Sequence, residues 1–174
     1  MEILDVLTSM AKAGRLGPVS CGADWQEVTA ALGEAWEVGT MSRRRRWPRL
    51  FAYGDLELSV CRCRKVSLIC VQTWRDVIEL PPSIVEGTGT FPAGLRHVDI
   101  ISALDKAGCS WAPYAPLTFN DQCSLTVVPS GANFTPAWAR WMRREARTLP
   151  VPAAAIAVSS RTMCIGSVTG VPPG

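Results

Sequence analysis

The sequence predicts an α+β protein in which short helices pack on small antiparallel sheets, and it leaves open whether two related halves repeat that unit. Three observations carry this expectation. Residues 47–76 read as three short strands joined by tight turns. Segments 2–13 and 24–33 carry helical periodicity and end at glycines. A second helix-then-strand pattern follows a stretch rich in proline and glycine at 81–96.

At 174 residues the chain fits one domain, or two small halves sharing a core. Its 48% hydrophobic and 19% charged residues, with a mean hydropathy of +0.14, describe a chain that folds. The net charge of +3 is too small to imply nucleic acid, so that case must rest on local clusters. Glu2 and Asp5 stand where a secretory signal would not tolerate them, and no apolar run is long enough to span a bilayer. The expected location is cytoplasmic. Seven cysteines (Cys21, Cys61, Cys63, Cys70, Cys109, Cys123 and Cys164) lack framework spacing and are expected to be buried small hydrophobes in a reducing compartment.

In chain order, Ile3, Leu4, Val6, Leu7, Met10 and Ala11 define an amphipathic helix that Gly14 stops, and Gly17-Pro18 turns the chain. Asp24 is an N-cap candidate, with Glu27 completing an acidic capping box; Trp25, Val28 and Leu32 share a face, and Gly33 ends the helix. Residues 34–46 read as a connector. Arg49–Tyr53 has strand composition and Gly54-Asp55 supplies a hairpin turn. From there Leu56, Leu58 and Val60 alternate with Glu57, Ser59 and Cys61, the pattern of a half-buried antiparallel strand. Arg64-Lys65 turns the chain into a third strand, Val66–Gln72, apolar on both faces and therefore central or covered. Pro81-Pro82 stops regular structure.

Beyond the proline- and glycine-rich stretch, Val98, Ile101, Ala103 and Leu104 make a short helix face closed by Gly108. Leu117–Val128 has strand composition, with turns at Asn120-Asp121 and at 129–131. Pro136–Leu149 reads as a basic helix, and no acidic residue follows Glu145. The expected organisation is a helix-helix-three-strand unit at 1–80, a linker at 81–96, a second and weaker helix-plus-strand unit at 97–135, and a basic helix with a partly disordered tail at 136–174.

Candidate chemistry is sparse. His97, the single histidine, sits just before a predicted helix, where a surface or capping role is usual, and no Gly-x-Ser-x-Gly elbow is present. Cys61-Arg62-Cys63 places two thiols on one strand face with Cys70 on the next strand, poor geometry for a zinc knuckle. Gly87-Thr88-Gly89-Thr90 lacks the context of a phosphate loop. The chain is therefore expected to be a binding protein, not an enzyme, with no catalytic, cofactor or metal residues. Two arginine clusters remain as contacts for an anionic partner: Arg43, Arg44, Arg45 and Arg46, and Arg140, Arg143, Arg144 and Arg147, the second interleaved with Trp138 and Trp141. The first-ranked partner is another protein, and the alternative is a nucleic acid held by these arginines.

Several of these features recur together. Arg15-Leu16-Gly17-Pro18, Trp25-Gln26-Glu27-Val28 leading to Leu32-Gly33, Pro48-Arg49-Leu50 and Tyr53-Gly54-Asp55-Leu56-Glu57-Leu58 resemble a group of small uncharacterised actinobacterial proteins of the toxin-immunity type. The layout is also similar to the BamE/SmpA-like arrangement, where a helix ending in Leu-Gly feeds a small antiparallel sheet. The resemblance covers the first half of the chain and implies a role in neutralising a toxin by protein–protein contact. It carries over no catalytic residue. Glu34 stands where such motifs usually have proline, and the missing lipoprotein signal leaves the outer-membrane role of the BamE proteins unimplied.

Overall fold

Glu2 and Asp5 begin the first helix by capping each other: the Asp5 carboxylate accepts from the Glu2 N–H at 2.9 Å, and the Glu2 carboxylate accepts from the Asp5 N–H. Helix α1 (Ile3–Ala13) buries Ile3, Val6, Leu7, Met10 and Ala11, and Gly14 ends it in the left-handed conformation. The reciprocal cap expected on the next helix thus occurs here instead. On α2 (Trp25–Leu32) the Asp24 carboxylate accepts from the Gln26 N–H at 2.8 Å. The computed structural model describes residues 2–40, 46–73, 75–85, 87–92, 94–118, 124–136 and 153–159. Among them no helix is long and apolar enough to cross a membrane.

The α+β class expected from the sequence is the class observed. Between the first two helices, β1 (Arg15–Leu16) and β2 (Val19–Ser20) form a ribbon across Gly17-Pro18. The main sheet has eight antiparallel strands: β3 (Trp36–Thr40), β4 (Arg49–Tyr53), β5 (Leu56–Val60), β6 (Val66–Gln72), β9 (Trp111–Pro113), β10 (Leu125–Val127), β11 (Ala132–Pro136) and β12 (Ala153–Ser159). Their spatial order is β3-β4-β5-β6-β12-β11-β10-β9. Two four-stranded meanders therefore run inward from opposite edges and meet where β6 pairs with β12. A helix precedes each meander, α2 before the first and α3 (His97–Lys106) before the second.

The expected strands β4, β5 and β6 form, and β6 is central. Three expectations need correction. The 34–46 connector contains β3, whose alternation is broken by a bulge at Val38. The 81–96 linker contributes β8 (Thr90–Pro92), which pairs with β7 (Val77–Glu79), and it buries Val85, Phe91 and Leu95 in the core. Residues 153–159, expected within a partly disordered tail, form β12 in the middle of the sheet. The physical reason is common to all three: each segment is short, but its backbone groups find partners on a neighbouring strand. The basic helix expected from Pro136 to Leu149 lies outside the described residues, apart from Pro136 at the end of β11.

Register explains why one sheet face carries the core. Phe51 pairs with Leu58, Leu58 with Ile69, and across the second meander Ala132 pairs with Val127 and Val127 with Trp111. One step along, Tyr53, Leu56 and Val71 align, as do Phe134 and Leu125. These residues join the buried faces of α1, α2 and α3 in one cluster. Trp25 stacks at 4.3 Å between ring centroids on Phe51, while the Tyr53 hydroxyl donates to the Gly33 carbonyl at 3.0 Å, so both ends of α2 are fastened to β4. On α3 the buried residues are Ile100 and Leu104, and Val98, expected on the inner face, is 61% exposed. Leu104 and Ile100 are four apart, and the stripe through them leaves Val98 on the far side.

The β7–β8 ribbon is locked to the main sheet by Asp55, whose side chain is 3% exposed. Its carboxylate accepts from the Glu79 N–H at 2.8 Å and faces Arg75 Nε at 3.4 Å, while its backbone N–H donates to the Glu79 carbonyl. The neighbouring Gly54 has φ +63, and a Cβ there would lie 2.6 Å from the Glu79 carbonyl oxygen. Only glycine suits that turn.

Gly54→Ala is expected to destabilise the fold by roughly 1–3 kcal/mol through combined strain and clash, read as a lower denaturant midpoint at unchanged slope. Leu104→Ala, which truncates a fully buried side chain, is expected to cost about 2–5 kcal/mol in the same measurement.

Candidate protein-binding face

The alternate register positions of the strands form a row of paired residues across the whole sheet. Trp36 pairs with Ala52, Ala52 with Glu57, Glu57 with Cys70, Cys70 with Ala157, Ala157 with Asn133, Asn133 with Thr126, and Thr126 with Ala112. The buried faces of the described helices all join the cluster on the opposite side, so among the described residues no helix packs on this row. Parts of this row are nevertheless buried: Ala52 and Cys70 are each 8% exposed, and Ser59 beside them is 1% exposed. Here Leu50 and Leu68 flank small and weakly polar residues, and Glu57 is the only charged residue in the row.

The polar groups are held in fixed positions. Gln72 Nε2 donates to Glu57 Oε2 at 2.9 Å and lies 3.7 Å from Cys70 Sγ. Burial, followed by the nearby Glu57 carboxylate, pushes the Cys70 thiol up to about 12, which keeps it protonated and chemically quiet at neutral pH. The hydroxyls of Ser59 and Ser67 are 3.1 Å apart. Asn133 donates through Nδ2 to the Gly131 carbonyl at 3.0 Å, whereas its Oδ1 is buried with no hydrogen-bond partner. An acceptor left in that state costs about 1–3 kcal/mol unless something outside the chain satisfies it.

At one end of the row, edge strand β3 exposes apolar surface. Trp36 is 76% exposed and Val38 is 47% exposed. Behind them an open hollow of about 560 Å³ is lined by Trp25, Thr29, Gly33, Glu34, Ala35, Glu37 and Phe51. Glu37 is paired with Arg49, whose guanidinium lies 5.8 Å from the Trp47 ring centroid, so charge guards the strand beside the exposed indole.

The residues singled out in the sequence fare differently. Of the eight arginines, Arg46 is described and is exposed at the entry to β4. Arg43, Arg44, Arg45, Arg140, Arg143, Arg144 and Arg147 lie outside the described residues. His97 is the first residue of α3, next to the N-cap Arg96, and burial lowers its pKa. Cys61 and Cys63 do not share a strand face with exposed thiols. They lie in the β5–β6 turn, joined by a disulfide, which corrects the expectation that the cysteines are all buried and reduced. Cys70 and Cys109 are buried as expected. Trp36 and Asn133 were missed, and only Trp36 carried a signal, a tryptophan in a segment otherwise suited to solvent.

Compared with known protein families, curated proteins and solved structures, the chain matches none.

Because its thiol is held protonated, Cys70 is expected to resist iodoacetamide in the folded protein at pH 8 and to label fully in denaturant. Peptide mass spectrometry reads both states.

Proposed function

We propose that this chain acts by binding another protein, which closes over Trp36 and Val38 on the edge strand β3. The specific role that suits this reading is neutralisation of a toxin by direct contact, in line with the resemblance of the first half to immunity-type proteins. The observation that carries it is the exposed apolar edge: Trp36 is 76% and Val38 47% exposed on β3, the outermost strand of the main sheet.

Physical considerations favour a protein as the occupant. An exposed tryptophan beside apolar and small residues is the composition of an interface anchor, since the indole buries a large area at little entropic cost. Glu34 and Glu37 line the hollow beside Trp36, so a complementary surface carrying a basic side chain suits this edge. A nucleic acid would meet those carboxylates. The nucleic-acid alternative therefore rests on the arginine clusters alone.

The test is co-expression of the full chain with growth-arresting products of the genes beside its own. Growth is expected to be restored, with a stable complex recovered. Trp36→Ala and Val38→Arg, each checked for an unchanged thermal melt, are each expected to weaken that complex by about tenfold or more. Failure to rescue any neighbouring growth-arresting product, or undiminished binding by both variants, would remove the reading.

A further inference from the structure

The β5–β6 turn reads Cys61-Arg62-Cys63-Arg64-Lys65, and its two cysteines are bonded to each other with Cα atoms 5.3 Å apart. This crosslink does little for the fold. In the chain-entropy account a disulfide stabilises in proportion to the logarithm of the loop it closes, and this loop encloses one residue, Arg62. The turn is also held without it. Cys61 N–H donates to the Lys65 carbonyl at 2.9 Å and Arg64 N–H to the Cys61 carbonyl at 3.0 Å. From outside the turn, Trp25 N–H donates to the Arg64 carbonyl at 2.9 Å, and Gly22 N–H donates to the Val66 carbonyl at 2.7 Å. The S–S bond can therefore open and close on a backbone that stays in place.

The surroundings suit sulfur chemistry. Cys63 is exposed and Cys61 is half-buried, whereas the thiols of Cys70 and Cys109 are buried. Arg62, Arg64 and Lys65 are all exposed within two residues of a sulfur. Among the described residues the one acid paired with this group is Asp24, at 3.7 Å from Lys65 Nζ, against the three cations. Adjacent cations stabilise a thiolate, both as attacking and as leaving group, and they attract anionic reagents.

We propose that Cys61 and Cys63 form a reversible thiol–disulfide exchange site whose reductant is an anionic low-molecular-weight thiol. A thiolate of that reagent attacks the exposed Cys63 sulfur. The Cys61–Cys63 bond breaks, and Cys61 leaves as a thiolate beside the cationic side chains. A second reagent thiolate then attacks the reagent sulfur of the mixed disulfide. The reagent departs as its own disulfide, and Cys63 is released. Two electrons pass from two reagent thiols to the protein disulfide, and their two protons end on Cys61 and Cys63. This site is separate from the β3 edge proposed for partner binding.

The experiment uses the full chain and glutathione as the anionic probe. The protein is equilibrated anaerobically at graded ratios of reduced to oxidised glutathione, quenched with acid, alkylated and analysed by peptide mass spectrometry. The Cys61–Cys63 peptide is expected to interconvert in both directions, with circular dichroism unchanged and Cys70 unmodified. A pair that stays oxidised in excess reduced glutathione, or that oxidised glutathione fails to re-form, would overturn the proposal. Charge selection is read separately with Arg62→Glu, which leaves both cysteines in place. Reduction by glutathione is expected to slow about three- to tenfold while reduction by cationic cysteamine does not. Equal slowing with both thiols would refute the anionic preference.

Discussion

Five residues of β12 pair with Leu68–Gln72 of β6, from Ala155 opposite Gln72 to Ser159 opposite Leu68, and this ladder joins the two meanders into one sheet. Without it β6 and β11 would each present an unpaired row of N–H and C=O groups. β6 is apolar on both faces, a poor composition for an edge and a suitable one for a centre. The pairing also aligns the rows. Because side chains alternate with a period of two, a slip of one residue would turn the inner face of one meander into line with the outer face of the other. The continuous core and the continuous row on the opposite face both depend on this one register.

The described helices belong to a single layer on one side of that sheet. Trp25 on Phe51, the Tyr53 hydroxyl on Gly33, and the buried stripe of α3 all act from the same face. The ribbon of β7 and β8 closes the core from the end, through Ile78 and Phe91, and is tied down by the Asp55 carboxylate. The exposed indole of Trp36 stands at the edge of the sheet, on β3.

Local signals were legible wherever the deciding contact is a few residues away. Gly14 and Gly33 end helices, Asp24 caps one, and Gly54-Asp55 turns a hairpin, each through interactions within about four residues. β5 was legible because Leu56, Leu58 and Val60 alternate cleanly. β3 was hidden by its bulge at Val38 and by Gly39, which break the period. The inner face of α3 was misplaced because Val98 and Ile101 are as apolar as Ile100, and only packing selects among them. The disulfide was missed because a Cys-x-Cys pair on an uninterrupted strand holds its thiols side by side without bonding them. The strand ends at Val60, and the turn that follows brings the sulfurs together.

By itself the sequence determined the helices, the three-strand hairpin series and the α+β class, since periodicity and caps act locally. It also determined that acid, base and nucleophile do not cluster in sequence. Tertiary structure decided which strands are neighbours. Ala153–Ser159 finds β6 some eighty residues earlier in the chain, and its Ala-Ile-Ala-Val alternation reads as low complexity until that partner is known. Pairing between distant segments depends on what each leaves unsatisfied when the rest has folded, a property that no local window contains. The continuous row, with Trp36 at one end and Ala112 at the other, exists only once that pairing is made.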